Sequence, residues 1–279
     1  LHKAIRRQRQ MCIRDRLYNK KAFDSETILS IKNYISEITI DVQLLLWNNS
    51  LTKITDVELA FLSSFVSHKI YGNDGCNTSL SEIYTRIYQD CDDDDILLIF
   101  DHDTIIPEGY FSELLIAISE NPDINLFLPV VKHYNLIISP SKNYGVKGIY
   151  WKRPNLGILP AKHITAINSG MAIRCQYLKH KFVGYNLELK FYETDNDFMY
   201  KYCRENRELF VLSSQMNHSL GFYDDSVNSK LNRFKAMKFG RLTHMKTRGM
   251  LLYLLAQLQY FYFAIKCTVK YHDLRFLWC

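Results

Sequence analysis

The sequence predicts an α/β fold, a mostly parallel sheet with helices on both faces, followed by a C-terminal helical extension. Three observations carry that reading. Strand-like apolar runs alternate with stretches of helical period. The run Asp95-Ile-Leu-Leu-Ile-Phe-Asp101 is apolar at successive positions, as a strand buried on both faces is. Charge also changes along the chain: residues 1–16 carry +5, 17–222 carry −6 and 223–279 carry +7, within a total of +6. An acidic body argues against nucleic acid as its partner, and a basic tail suits an anionic surface.

With 279 residues, 47% of them hydrophobic, the chain can bury a sizeable core. Its seven cysteines include no C-x-x-C pair, which points to a reducing compartment and a cytoplasmic setting. Met11-Cys-Ile-Arg-Asp-Arg16 resembles the translation of a transposase adaptor used in sequencing-library preparation. Residues 1–16 are therefore set apart as non-native, the alternative being a genuine basic arm. The expected organisation is an α/β domain over 17–222 and a basic extension over 223–279.

Leu17-Tyr-Asn-Lys20 reads as the tail of a first strand. A helix follows from Ser25, its N-cap, to Tyr34, with Ile28, Leu29, Ile31 and Ile35 on one side. Val42–Trp47 is a second strand, Asp56–Val66 a helix, His68–Tyr71 a short strand and Gly72–Gly75 a turn. Ser79–Tyr88 is helical, and the Asp92–Asp95 run leads into the central strand. A helix begins near Pro107 and runs to Ser119, and Asn125–Val131 is the next strand. Residues 132–165 show no period and read as a long loop, a candidate acceptor-side lid. Ser229–Thr247 is a basic amphipathic helix, with Leu231, Phe234, Met237, Leu242 and Met245 near one face. Gly249–Ile265 carries no charge but includes Gln257 and Gln259, and an in-plane or docked helix is favoured over a spanning one.

Asp101 and Asp103 leave the C-terminal end of the central strand, where open α/β sheets hold ligands. Carboxylates at i and i+2 can turn toward one divalent cation that also grips a diphosphate, and oxygen donors suit Mg²⁺ or Mn²⁺. The bland alternative is a pair of solvated loop acids.

In this order along the chain, Leu17-Tyr-Asn-Lys, Trp47-Asn-Asn-Ser, Asn73-Asp-Gly, Asp101-His-Asp-Thr, Asn168-Ser-Gly-Met-Ala-Ile, Glu193-Thr-Asp-Asn-Asp-Phe and His218-Ser-Leu-Gly resemble family 2 glycosyltransferases of the GT-A fold. The likeness is to the rhamnosyltransferase-like branch that assembles bacterial surface polysaccharides. It covers Leu17 to about Phe222. The resemblance implies Tyr18, Asn19 and Asn48 around the nucleotide base, Asn73 and Gly75 near ribose and diphosphate, and Ser169 and Gly170 beneath the donor sugar. It implies Asp101 at ribose or metal, with Asp103 and His218 as metal ligands. Asp195 becomes the catalytic base and Asp197 a helix N-terminal acid, although either carboxylate is also a plausible plain cap.

Departures from the family are visible. Trp47 stands where the family usually places an Asp, Thr194 and Lys201 replace Glu and Arg, and an Arg-Asn pair expected after Asn73-Asp-Gly is absent. These leave the donor sugar open.

The implied activity is an inverting, metal-dependent transfer from a nucleotide diphosphate sugar to a hydroxyl of a glycan or lipid-linked acceptor. The extension would meet an anionic membrane surface, making the protein peripheral on its inner face. Two rivals remain, a non-catalytic sugar-nucleotide-binding or scaffold protein of the same fold and a nucleotidyltransferase.

Overall fold

A computed structural model describes residues 10–218 and 226–279. In chain order its first half comprises β1 (Gln10–Leu17), α1 (Glu26–Tyr34), β2 (Asp41–Asn48), α2 (Asp56–Ser63), β3 (Ser67–Tyr71), α3 (Leu80–Asp90), β4 (Ile96–Ile99), β5 (Thr104–Ile105), α4 (Tyr110–Glu120) and β6 (Leu126–His133). There follow β7 (Leu136–Ser139), β8 (Ser141–Tyr144), β9 (Lys147–Tyr150), β10 (Gly157–Pro160), β11 (Ile164–Thr165), β12 (Met171–Arg174), α5 (Cys175–His180), α6 (Thr194–Glu205), β13 (Glu208–His218), α7 (Val227–Arg248) and α8 (Met250–Tyr271).

The main sheet has the order β10-β13-β6-β12-β4-β1-β2-β3. Strands β3, β2, β1 and β4 are parallel, β12 runs against both β4 and β6, and β13 is parallel to β6. The fold is thus the expected helix-flanked α/β sheet, mixed where β12 and β10 enter. Apolar side chains on its two faces form two cores. Leu45, Leu97, Ile173, Phe198 and Tyr202 belong to one, and Ile13, Leu46, Leu98, Phe111 and Leu114 to the other.

Three sequence expectations change. First, the sheet begins at Gln10, not Leu17: β1 lies between β2 and β4, with Met11, Cys12 and Ile13 buried. The charged residues that follow are accommodated at the strand's end. Buried Arg14 donates to the Phe100 carbonyl at 2.9 Å and lies over the Tyr84 ring, while buried Asp15 accepts from Ser25 Oγ at 3.1 Å. Burial pushes the Asp15 carboxyl up to about 7, despite Arg14 nearby.

Second, residues 132–165 are not a structureless lid. They contain β7, which pairs with β6, and the whole of a small antiparallel sheet ordered β11-β8-β9. These strands are two to four residues long, too short to show a period.

Third, α7 turns much of its predicted lipid face toward protein. Leu231 and Met245 are buried, Phe234 packs on Tyr260 and Phe276, and Arg241 and His244 are buried as well. α8 folds back beside α7, burying Ala256, Tyr260 and Ala264. It reaches Tyr271, beyond the expected Ile265, and by length and composition is long and apolar enough to cross a membrane.

Candidate active site

The site opens at the C-terminal ends of β1 and β4, and the start of α1 pins its central segment. Ser25 caps that helix through the Ile28 N–H and donates to the His102 carbonyl at 3.2 Å. Thr27 Oγ1 bonds the Asp101 and Thr104 carbonyls. The backbone of Asp101-His102-Asp103 is therefore held from a helix that sequence motifs did not connect with it. Across from it, β5 pairs with β13 so that Thr104 faces His218.

Asp101 and Asp103 line one cavity of about 560 Å³ together with Arg16, Tyr18, Asn77, Tyr192 and Arg233. Two carboxylates facing a common space, with room left for phosphate oxygens and water, fit the oxygen preference of Mg²⁺ or Mn²⁺. The backbone register brings His218 beside this pair, while its side chain lies outside what is described. Among the described residues no cluster of three His, Cys, Asp or Glu side chains forms a complete cation shell. Arg14 approaches Asp101 at 3.8 Å, and Ser169 Oγ approaches its other oxygen at 3.5 Å.

A smaller cavity of about 190 Å³ continues from this one, sharing Asp101, Leu80, Phe191 and Tyr192, and it reaches Ser169 and Asp195. A third, about 350 Å³, lies beyond Asp195 against β8, β9 and Arg241. Asp195 lines both of these spaces and so forms part of the wall between them.

Asp195 and Asp197 occupy the first turn of α6, yet their surroundings differ. Asp195 accepts from the Asn196 N–H at 2.8 Å. Burial, reinforced by the neighbouring Glu193 charge, pushes it up to about 7. Asp197 is buried and takes Lys201 Nζ at 2.7 Å, the lysine also donating to the Gly184 carbonyl at 2.8 Å. Lys201 and Asp197 thus form an i,i+4 ion pair within α6, and Asp197 lines none of these cavities.

The residue before this turn is held from the C-terminal extension. Glu193 sits in left-handed backbone, φ 69°. Its Oε2 accepts from Arg241 Nη1 at 3.0 Å and lies 3.2 Å from His244 Nδ1. Burial alone would raise this carboxyl, but the His244 contact and the Arg241 charge outweigh it and hold Glu193 below the ordinary range. Gly240 makes the docking possible, because a Cβ there would lie 2.9 Å from the Tyr192 carbonyl oxygen. None of Gly240, Arg241 or His244 stood out in the sequence. The one available signal was that Arg241 and His244, three apart, interrupt an otherwise apolar face.

Other predicted binding residues prove to be builders of the site. Asn48 donates to Asn73 Oδ1 at 2.7 Å and to the Thr52 carbonyl at 2.8 Å, and Asn73 Oδ1 also accepts from the Ile54 N–H. Asn19 has φ 53° and donates its N–H to Ser50 Oγ at 2.9 Å. Gly75 forms a turn, φ 80°, against the Leu51 carbonyl. The space a Cβ would need at Gly170 is filled by Met216 and Pro129, so packing by itself requires glycine here. Trp47 is core: it is buried, stacks on Tyr71 and requires Gly72 above its ring. Tyr18, Asp101, Asp103, Ser169 and Asp195 are the predicted residues that do line the connected cavities.

No protein-family model matches the chain. No curated protein matches it either. Solved structures do. Over 85% of the present chain it is similar to residues 1–349 of TarS from S. aureus, with TM-score 0.55 and 11% identity, covering 65% of that chain. A second match is GalNAc-T7, crystallised with UDP, GalNAc and Mn²⁺, with TM-score 0.57 and 10% identity over 85% of this chain and 48% of that one. TarS 1–349 in complex with UDP-GlcNAc matches with TM-score 0.53 and 12% identity, covering 85% and 66%. The chain thus spans less than two thirds of the length of each of these proteins. At such identities the likeness establishes the GT-A fold.

Proposed function

We propose that this chain is a glycosyltransferase that moves a sugar, with inversion, from a nucleotide diphosphate donor to a hydroxyl of a glycan or lipid-linked acceptor. The observation that carries the reading is the position of Asp195: partly desolvated, on the wall between the cavity that reaches Asp101 and Asp103 and the cavity on the far side. The complexes of the structural neighbours with UDP and UDP-GlcNAc support a nucleotide-sugar donor, and UDP sugars are the first to test.

Asp101 and Asp103, with His218 adjacent on the backbone, would hold a Mg²⁺ or Mn²⁺ ion, the latter being present in the GalNAc-T7 crystal. When bound, such an ion neutralises charge on a departing diphosphate. Ser169 and Asp195 border the space for the donor sugar. Asp195 takes the proton of the acceptor hydroxyl as its oxygen bonds to the anomeric carbon. The bond from that carbon to the diphosphate oxygen breaks, and the nucleoside diphosphate leaves. A base poised near neutral pH suits this task. The single in-line displacement inverts the anomeric configuration and needs no covalent sugar intermediate.

The deciding experiment incubates the protein with a panel of nucleotide sugars and Mg²⁺ or Mn²⁺ and identifies the released product. Nucleoside diphosphate, formed only with metal, is the expected result. Pyrophosphate would favour a nucleotidyltransferase, and thermal stabilisation by donor without any turnover would favour a non-catalytic binding protein. The exposed apolar residues of α8, including Leu251, Leu254, Leu258 and Phe261, together with the positive charge of the extension, support a cytoplasmic protein attached peripherally to the anionic inner face of a membrane. Salt-sensitive sedimentation with anionic vesicles checks this. Salt-insensitive binding to neutral vesicles would instead mean that α8 inserts.

A further inference from the structure

Beyond the acceptor-side cavity lies a fourth space of about 550 Å³, reached past Asn143, Thr165 and Asn196, which line both. Thr165 Oγ1 donates to Asn196 Oδ1 at 2.6 Å where the two spaces adjoin. The wall is one face of α6, where Asn196, Tyr200, Cys203 and Arg204 recur at helical spacing. Its far end is basic. Lys162, Arg204, Arg207 and Arg248 border it against a single carboxylate, Glu205, which accepts from Tyr177 OH at 2.9 Å.

Two of these cations are organised around one ring. Arg248 lies 4.5 Å from the centre of the Tyr200 ring, and Arg204 Nη1 donates to Tyr200 OH at 2.8 Å. The Arg248 Nε is buried with no hydrogen-bond partner among the described residues. Guanidinium groups gathered at a partly enclosed surface suit a phosphate, whose oxygens they meet in pairs. Arg248 is also the last residue of α7, and α8 starts two residues later with exposed Met250 and Leu251.

We infer that the acceptor carries a phosphate ester, held at the Arg204–Arg207–Arg248 end of this space while its hydroxyl extends past Thr165 and Asn196 to Asp195. The inference rests on the proposed transfer for its direction but on this cavity alone for its ligand. Eight steps along α6 lead from Asn196 to Arg204, about 12 Å at 1.5 Å per residue. Phosphate and reacting hydroxyl would thus be held apart by roughly that span. The phosphate could belong to a lipid-linked sugar diphosphate or to a soluble phosphorylated glycan, and the chemistry of the site is common to both.

The test measures thermal stabilisation of the full chain, with the donor side saturated by UDP and Mg²⁺, using three probes: a hexose diphosphate ester of a long prenyl alcohol in detergent micelles, the same hexose diphosphate on a short water-soluble alkyl group, and the alkyl hexoside without phosphate. Each is applied to the wild type and to R204Q/R207Q, whose two residues are exposed and whose exchange leaves the core intact. Both diphosphates should bind the wild type at least tenfold more tightly than the hexoside, and the variant should lose that advantage. A further gain for the prenyl ester over the short one identifies a lipid source, and equality a soluble one. Equal binding of all three probes, or a diphosphate preference unchanged in the variant, overturns the inference. Failure of UDP and Mg²⁺ to stabilise the wild type would count against the transferase reading alone, since the probe comparison is read separately.

Discussion

The two ends of the cleft are built in different ways. Around Asn48 and Asn49, loops at strand ends are tied over short sequence separations, to Asn73 at 2.7 Å and to Asn77 at 2.8 Å, while the Asp101-His102-Asp103 backbone is held by Ser25 and Thr27 at the start of α1. Around Asp195, the decisive contacts join segments about fifty to a hundred residues apart: Glu193 to Arg241 and His244, and Arg241 to the Gly145 carbonyl at 3.0 Å. The contrast teaches that turns can be tied by residues near in sequence, whereas a carboxyl pushed upward by burial and a neighbouring charge, as Asp195 is, depends on segments that meet only in the fold.

The sharpest way to break the contrast is to exchange one carboxylate on each side. Asp195→Asn keeps shape and removes the proton acceptor, so transfer should fall by about 10²–10⁴-fold while metal-dependent donor stabilisation is unchanged. Asp103→Asn should do the reverse, abolishing donor stabilisation first. Wild-type turnover in Asp195→Asn would remove the base assignment. In the wild type the transfer rate should also drop below about pH 7, where Asp195 takes up its proton.

The next effect tests whether the extension belongs to the site. Gly240→Ala should push α7 from Tyr192 and Glu193 and lower transfer by roughly tenfold, within what a sub-ångström to 1 Å misplacement costs. Alanine is favoured over glycine in a helix interior by about 1 kcal/mol. A more stable and fully active variant would therefore show that the close approach is idle.

Asp197→Asn is expected to move stability and not chemistry. Removing the charge that faces Lys201 in a buried setting should cost up to about 3 kcal/mol, read as a lower denaturation midpoint, the lysine's partial exposure limiting the loss. Transfer per folded molecule should stay within a factor of a few. If instead Asp197→Asn abolishes turnover and Asp195→Asn does not, the two roles are exchanged.

The last effect is a linkage, read in stability and not in turnover. A carboxyl raised to about 7 in the folded protein binds its proton more tightly there than in the unfolded chain, so it weakens the fold as pH rises from about 4 to about 7. Asp195→Asn should be more stable than wild type at pH 8 and lose that advantage at pH 4. Parallel melting curves of the two proteins at every pH would show that Asp195 is not desolvated.

The sequence by itself determined the sheet-and-helix alternation, the central strand ending in Asp101 and Asp103, and the capping of α1 by Ser25, because these follow from local period and side-chain reach. It also placed Asp195 and Asp197 together, and only the family resemblance, not local pattern, ranked Asp195 as the base: two residues on one helical turn differ only in what the rest of the chain brings to each. The tertiary structure decided that Lys201 pairs with Asp197, that α7 docks on Glu193 through Gly240, that Asn48 bonds Asn73 and that Gly170 packs under Met216 and Pro129. It also gave order to residues 132–165, where β7 and β10 pair with β6 and β13 and the remaining short strands pair with one another. Local pattern records which groups are available. Burial and partner choice, which set a carboxylate's charge and task, exist only once distant segments meet.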